Sequence, residues 1–294
     1  MNKTLYSIYI GLFLLVGISV TILLGVDGYQ YYRLPLEQRV FSAQHIYLKP
    51  SGLIGHGLGI IGSLMMILGV AIYMIRKRVR SLVNFGYLKY WLELHIFLCT
   101  LGPILVLYHT AFKFGGIVAV SFWSMVAVVL SGVIGRFIYV QIPRTIQGQE
   151  ISANELNEIS GDLTYMLRKK YSTYRVDDRI IDRIETIFSS SKYSGRGAGV
   201  NILIVVWEYF KMKIKLRKLK RQLSSNGVKG KNLKEVVEII KSRIILNRRI
   251  GMLRSMQKLF KYWHVVHLPF AITMFVIMFV HIAVTIIFGY RWIF

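Results

Sequence analysis

Four of the seven histidines occur as two pairs with the same spacing. His95 and His109 are separated by 14 positions, and so are His267 and His281. In an α-helix, 14 positions correspond to about 21 Å along the axis and about 40° around it. Each pair therefore lies on one face of its helix, with one imidazole near each end of a membrane-crossing length. Imidazole is a common metal ligand, and ionisable side chains inside a membrane are costly and usually functional.

The elements that carry these histidines are predicted membrane spans. Three stretches contain no Asp, Glu, Lys or Arg: residues 5–26, 53–75 and 265–290. Two more contain a single charged residue each: residues 90–112, with Glu93, and residues 115–140, with Arg136. Each stretch exceeds the roughly 20 apolar residues that a bilayer crossing requires. The sequence therefore predicts an all-α integral membrane protein with five transmembrane helices, and it excludes an ordinary soluble enzyme. We expect the first span to be retained, because its apolar run is too long for a cleavable signal.

The distribution of basic residues predicts the orientation of these spans. The loop between the second and third spans is basic and has no acid before Glu93; its cations are Arg76, Lys77, Arg78, Arg80 and Lys89. Short basic loops stay on the cytoplasmic side. We therefore expect the amino terminus and residues 141–263 in the cytoplasm and the carboxyl terminus outside. The predicted organisation is spans one to four in residues 1–140, a basic helical insertion in 141–263, and the fifth span with a short outer tail in 264–294.

The insertion carries most of the excess positive charge. It holds 26 Lys and Arg against 11 Asp and Glu, which is +15 of the net +24. Ser152 and Glu155 form a capping-box pattern that predicts a helix start. Residues 201–223 begin apolar and become densely basic, which fits a helix in the inner headgroup layer, and residues 231–261 predict a basic helix that runs into the fifth span. Anionic lipid and an acidic soluble partner both remain open as contacts, whereas five spans and the lack of a recognised motif argue against nucleic acid.

The third and fifth spans run in the same direction, because one span lies between them. His95 then meets His267 near the inner surface, and His109 meets His281 near the outer surface. Two imidazoles that face each other across a gap between helices can ligate one b-type haem, and two haems about 20 Å apart can carry an electron through most of a bilayer. Zinc requires three or four ligands around one point, and buried histidines can also serve packing alone. The single cysteine, Cys99, excludes a Cys-ligated cluster and a covalent c-type haem.

The paired His-x13-His helices resemble cytochrome b of quinol-oxidising complexes and the membrane domain of ferric reductases and NADPH oxidases. The resemblance covers residues 53–112 and 264–290. It implies two non-covalent b haems, ligated by the four paired histidines of the third and fifth spans. The chain departs from the reductases in having no flavin or nicotinamide domain after the fifth span. It departs from the quinol-oxidising family in its basic insertion and in showing no proline-and-acid quinol-site motif.

Several other residues are candidates to support the haems. Gly102 lies midway between His95 and His109, where the missing side chain leaves room for a macrocycle. Arg136 is a candidate partner for a propionate of the inner haem, or for a lipid phosphate, and Lys113 is the equivalent candidate for the outer haem. The second span carries glycine at every seventh position, which suits close approach of either a helix or a haem: Gly55, Gly62 and Gly69.

Two further residues are candidates for quinone or propionate contacts. His56 is expected at the depth of the outer haem, where packing is the alternative role. Glu93 is expected near the inner surface, where it either takes quinone-linked protons or lies in the headgroup zone.

The function expected from these patterns is electron transfer by a di-haem b-type cytochrome subunit. Electrons would pass across the membrane between the quinone pool and a partner redox protein, such as an iron–sulfur, flavin or multihaem cytochrome subunit. One alternative is a self-contained transmembrane reductase of metal ions or other small acceptors. Another is a haem-free membrane anchor that recruits partners through its basic cytoplasmic region.

Overall fold

The computed structural model of the chain is helical. It describes residues 3–82, 86–143, 152–173, 216–225 and 230–289, together with residues 207, 214 and 228. Eight α-helices are labelled here in chain order: α1 (Lys3–Asp27), α2 (Tyr29–Arg33), α3 (His45–Leu48), α4 (Leu53–Arg78), α5 (Leu88–His109), α6 (Gly116–Gln141), α7 (Ala153–Thr173) and α8 (Gly230–Ile287). Short 3-10 turns occur at Arg39–Phe41 and Arg80–Leu82, residues 216–225 are also helical, and no strand occurs in this part of the chain.

Five helical segments are long and apolar enough to cross a membrane, as the sequence predicts. They are Thr4–Asp27, His45–Arg78, Leu88–His109, Gly116–Gln141 and Ser255–Ile287. Their apolar surfaces remain largely exposed in the isolated chain, as expected for helices whose solvent is lipid. The chain is therefore a multi-pass membrane protein by the length and composition of its helices.

The third span ends three residues earlier than the sequence predicts. Helix α5 stops at His109, whereas the apolar pattern continues to Phe112. Ala111 and Phe112 have φ values of 48° and 58°. Consecutive left-handed residues cannot continue a right-handed helix, so the chain turns sharply here toward α6. His109 is thus the last helical residue and lies directly beside this turn.

Two predictions for the insertion are confirmed within the described residues. The Ser152 backbone N–H donates to Glu155 Oε2 at 2.9 Å, and the Glu155 backbone N–H donates to Ser152 Oγ at 3.2 Å, which is a capping box at the start of α7. Helix α8 runs unbroken from Gly230 to Ile287, so the basic helix does continue into the fifth span. The expected loop at residues 189–199 lies outside the described residues.

The chain divides into two compact units. The first contains α1 to α5, α6 up to Ile134, and α8 from Val265 onward. Its closest helix packing is between α4 and α5, and its buried core is rich in methionine: Met66, Phe122, Met125, Met274 and Met278. The second unit contains the end of α6, α7 and α8 up to His264, with two apolar clusters of its own.

Candidate functional site

Helices α4 and α5 pack closely in an antiparallel register that is set by glycine. Positions seven apart lie almost on one line of a helix, because seven residues make nearly two turns. The three glycines of α4 that are seven apart face three residues of α5 that are also seven apart: Gly55 with His109, Gly62 with Gly102, and Gly69 with His95. A Cβ on Gly62 would lie 2.7 Å from the Gly102 carbonyl oxygen. The glycine stripe therefore brings the two backbones together.

His109 is held by the backbone of α4. Its Nδ1 lies 2.8 Å from the carbonyl oxygen of Gly55. Its ring also fills the space that a side chain at Gly59 would need, since a Cβ there would lie 2.7 Å from His109 Nδ1. Both the position of the ring and the direction of its Nδ1 are therefore fixed by α4.

His95, which lies 14 positions before His109 in α5, is held by the backbone of α4 in the same manner. Its Nδ1 lies 3.0 Å from the carbonyl oxygen of Gly69 and 3.6 Å from Cys99 Sγ. The ring of Tyr73 packs beside it, with centroids 5.3 Å apart. Cys99 serves this packing, since its thiol donates in turn to the Met66 carbonyl at 3.8 Å.

His267 is held by a side chain of α6. Ser131 Oγ lies 2.6 Å from His267 Nδ1 and donates its own proton to the Val128 carbonyl at 2.9 Å. The hydroxyl of Ser131 thereby links His267 to the backbone of α6. His264, which lies in the second unit, differs: its Nδ1 lies 2.9 Å from the Phe260 carbonyl of its own helix, and its side chain is exposed.

These contacts fix the tautomer of two histidines. A carbonyl oxygen only accepts hydrogen bonds, so Nδ1 of His95 and of His109 must carry the proton. Each neutral ring then presents an unprotonated Nε2. Metal-ligating histidines have this arrangement, with one nitrogen donating to a carbonyl or other acceptor and the other free to bind the metal.

The outer pair is brought together across the bundle. The ring centroids of His109 and His281 lie 6.5 Å apart, with 59° between the ring planes. Two imidazoles that bind one metal ion from opposite sides, each with a metal–nitrogen distance of about 2.0 Å, have centroids about 6 Å apart. The separation of the two rings is therefore close to that of two imidazoles on one metal ion. His56 lies close by, with its ring centroid 6.4 Å from that of His109.

The inner pair is positioned by separate partners. His95 is fixed by α4 through Gly69, and His267 by α6 through Ser131. Within the described residues, no group of three or more His, Cys, Asp or Glu side chains is arranged to hold a metal ion.

Gly102 and Glu93, two of the other candidate residues, make contacts within the first unit. A Cβ on Gly102 would lie 2.8 Å from the Gly62 carbonyl oxygen, so helix packing accounts for this glycine. Glu93 is buried and accepts from Tyr6 Oη at 2.6 Å, with Lys89 Nζ 3.8 Å from the same oxygen. This contact ties α1 to α5 and places the carboxylate in a protein environment.

Lys113 and Arg136 differ in their surroundings. Lys113 is exposed in the turn after α5, where its backbone N–H donates to the Thr110 carbonyl. Arg136 belongs to the second unit, and its guanidinium lies 5.7 Å from the centre of the Tyr139 ring.

Arg39 is a site residue that the sequence pattern does not reveal. It is 8% exposed, and its guanidinium donates to the carbonyls of Leu34, Tyr32 and Ala111. Ala111 comes two residues after His109, so Arg39 ties the loop between α1 and α4 to the turn that follows this histidine. The residues around Arg39 in the sequence do not distinguish it from Arg33, the other arginine of the same loop.

The loop around Arg39 packs its aromatic side chains against the end of α5. Tyr32 contacts Tyr108 and Phe112, with ring centroids 5.6 Å and 5.1 Å apart. Burial raises the pKa of Tyr32 to about 12, and the neighbouring Tyr108 adds to the effect. Tyr32 therefore remains a neutral phenol throughout the physiological range, and the loop covers this end of α5 with uncharged aromatic surface.

Comparisons with models of protein families, with curated proteins and with solved structures give no match for this chain. A functional assignment therefore rests on the geometry of the histidines and on the charges of the described residues.

Proposed function

We propose that this chain is a di-haem b-type membrane cytochrome subunit that carries electrons across the membrane between the quinone pool and a partner redox protein. The observation that carries the proposal is the outer pair, in which the ring centroids of His109 and His281 lie 6.5 Å apart and Nδ1 of His109 donates to Gly55, so that its Nε2 is the nitrogen left for a metal. His109 and His281 would hold one haem, and His95 and His267 the other.

The two levels of histidine suit transmembrane electron transfer. A bound haem supplies a one-electron carrier. The residues of each helix place their imidazoles 14 positions apart, about 21 Å along the axis, within a hydrocarbon core of about 30 Å. Backbone carbonyls accept the Nδ1 protons of His95 and His109, which leaves Nε2 of each neutral ring available to a metal. Such fixed ligands favour rapid electron exchange because little reorganisation accompanies it.

The remaining candidate residues have supporting roles in this proposal. Lys113 and Arg136 would neutralise propionates of the outer and inner haem, respectively. His56, beside His109, is the candidate contact for a propionate or quinone at the outer level, and Glu93 is the candidate proton group at the inner level. Gly102 would act indirectly, by keeping α5 close to α4.

The cellular arrangement follows the positive-inside rule. The amino terminus and the basic insertion would lie in the cytoplasm, the carboxyl terminus outside, and the protein in the cytoplasmic membrane. Exposed cations beside the spans would contact anionic lipid headgroups. These cations are Lys77, Arg78, Lys258 and Lys261. An iron–sulfur, flavin or multihaem cytochrome subunit would exchange electrons with the haems.

A second candidate is a self-contained reductase of small acceptors at the outer haem. One observation favours it: the loop between α1 and α4 contains an open cavity of about 670 Å³ that is rich in amide side chains, among them Gln30, Gln38 and Gln44. Such a cavity can admit a small polar acceptor from the outer side. A haem-free membrane anchor is the third candidate, and a haem spectrum separates it from the other two.

Quinol-driven reduction separates the two haem-based candidates. The purified chain in nanodiscs is mixed with a soluble quinol analogue, and haem reduction is followed by absorbance. We expect quinol to reduce the haems. Quinol that leaves them oxidised, together with rapid reoxidation of dithionite-reduced haem by a ferric chelate alone, would support the self-contained reductase instead.

A further inference from the structure

The described part of the insertion contains a helical hairpin with its own core. Residues 216–225 pack against the first turns of α8, and the core side chains are Leu219, Leu223, Val228, Leu233, Val236 and Ile240. Leu223 and Ile240 are fully buried. The turn is closed by the Val228 backbone N–H, which donates to the Leu223 carbonyl at 3.1 Å. The hairpin is thus a packed element in which both helices use their apolar faces.

The outer face of this hairpin is strongly basic. Seven cationic side chains are exposed on it: Arg217, Lys218, Lys220, Arg221, Lys231, Lys234 and Lys241. The described acids of the same segment are Glu235, which is half-buried, and Glu238, which is exposed. The face therefore has a large excess of positive charge in a compact area, where the field of neighbouring cations adds up.

The headgroup position expected for residues 201–223 stays a prediction, since Trp207 and Ile214 are exposed; within the hairpin itself the apolar side chains are packed. A helix that lies in a membrane surface inserts a free apolar face into the lipid. Leu219 and Leu223 form the apolar face of this part, and they are 8% and 0% exposed because they pack against α8. Among the described residues of the hairpin, the exposed side chains are therefore polar and mainly cationic.

We propose that the basic face of the hairpin docks an acidic surface of a soluble protein partner. Two features of the hairpin favour an acidic protein surface as the binding partner: its exposed cations, which are complementary to acidic side chains, and the lack of a free apolar face within the hairpin. Both favour a polar, reversible and salt-sensitive interface. Anionic lipid is the competing occupant. The inference goes beyond the proposed electron transfer and does not depend on the presence of haem.

The test measures binding of a defined acidic probe to the full chain in nanodiscs. The probe is a fluorescein-labelled poly-glutamate peptide of about 20 residues, followed by anisotropy at about 0.05 M and about 0.2 M salt, which bracket the physiological screening range. The hairpin variant carries Arg217→Gln, Lys218→Gln, Lys220→Gln and Arg221→Gln. The matched control removes four exposed cations beside the spans, with Lys77→Gln, Arg78→Gln, Lys258→Gln and Lys261→Gln.

We expect the hairpin variant to bind the peptide about tenfold or more weakly and the control variant to stay within about twofold, because only the hairpin cations act together. Equal loss in both variants would show a mere effect of net charge and would overturn the proposal. No loss in either variant would overturn it as well.

A second measurement tests the membrane as occupant. In a Cys99→Ala background, Gln222→Cys on the exposed side of the hairpin carries an environment-sensitive fluorophore. We expect its emission to be the same in nanodiscs of zwitterionic and of anionic lipid. A blue shift in anionic lipid, accompanied by release of the peptide, would assign the basic face to the membrane and contradict a protein partner.

Discussion

His109 donates its Nδ1 proton to the backbone carbonyl of Gly55 at 2.8 Å. The same contact recurs 14 positions away, where His95 donates to Gly69 at 3.0 Å. Because the two contacts are 14 positions apart on both helices, α4 and α5 stay in the same register from His95 to His109. In a bundle that binds haem, this contact would hold each ring, fix its tautomer and leave Nε2 for the iron.

Gly59 is predicted to be essential for the position of His109. Alanine at this site would place Cβ 2.7 Å from His109 Nδ1, so the ring must move and its bond to Gly55 must weaken. We expect Gly59→Ala to disturb the outer haem and leave the inner haem bound, and to lower the free energy of unfolding by about 1–3 kcal/mol through overpacking. Low-temperature haem spectra and thermal melts measure the two effects. Gly132→Ala, where a Cβ meets nothing within 4 Å, is the control and should change neither.

Ser131 is predicted to hold the inner ligand of α8. Removing its hydroxyl removes the 2.6 Å contact with His267 Nδ1. Loss of such a supporting contact usually weakens metal binding by about 10- to 100-fold. We expect Ser131→Ala to lose the inner haem faster during dialysis against apomyoglobin and to shift only the inner haem's midpoint potential. Ser131→Thr retains a hydroxyl and should restore both, whereas equal behaviour of the two variants would show that the contact has no role in ligation.

Arg39 is predicted to stabilise the turn after His109. Its substitution leaves three carbonyls short of a charged donor, each such bond contributing about 1.5–3 kcal/mol. We expect Arg39→Gln to lower the melting temperature and to broaden the spectrum of the outer haem alone. Arg39→Lys keeps the charge but not the planar fork, so it should be intermediate. Arg33→Gln, on an exposed side chain of the same loop, is the control. A change in the inner haem instead would contradict this role.

His267, and not His264, is predicted to be the inner ligand on α8. His267 contacts Ser131 of a neighbouring helix, whereas His264 bonds to the Phe260 carbonyl of its own helix and is exposed. We expect His267→Ala to lose the inner haem's low-spin signal in electron paramagnetic resonance and keep the outer one, and His264→Ala to keep both. The reverse pattern would mean that α8 is rotated from the register described here.

Much of the fold could be predicted from the sequence, because membrane spans obey a simple rule of length and apolarity. The five spans, the capping box at Ser152 and the continuity of α8 follow from local patterns of residues. The end of α5 does not, since Ala111 and Phe112 are apolar residues that would suit a helix and adopt left-handed conformations only in this turn. Packing of the loop over the turn decides their conformation, and packing is not visible in local composition.

The candidate site also has a part that could be predicted from the sequence and a part that could not. The 14-residue spacing places the histidines on one face of each helix, which is a property of the helix alone. The partners of the imidazoles could not be predicted, because Gly55 and Gly69 contribute backbone carbonyls and their identity shows nothing about an acceptor. Gly102 illustrates the ambiguity: it suits a haem or a helix equally, and its distance to Gly62 decides for the helix. Arg39 depends on a contact between residues 72 positions apart.

The most direct test of the central claim is the haem content of the purified chain. The pyridine haemochrome spectrum is compared with protein concentration from amino-acid analysis, for the natural sequence and for the double variant His109→Ala, His281→Ala. We predict two b haems per chain, extractable with acid acetone, and one in the double variant. A ratio near zero in the natural chain, or an unchanged ratio in the double variant, would contradict the account.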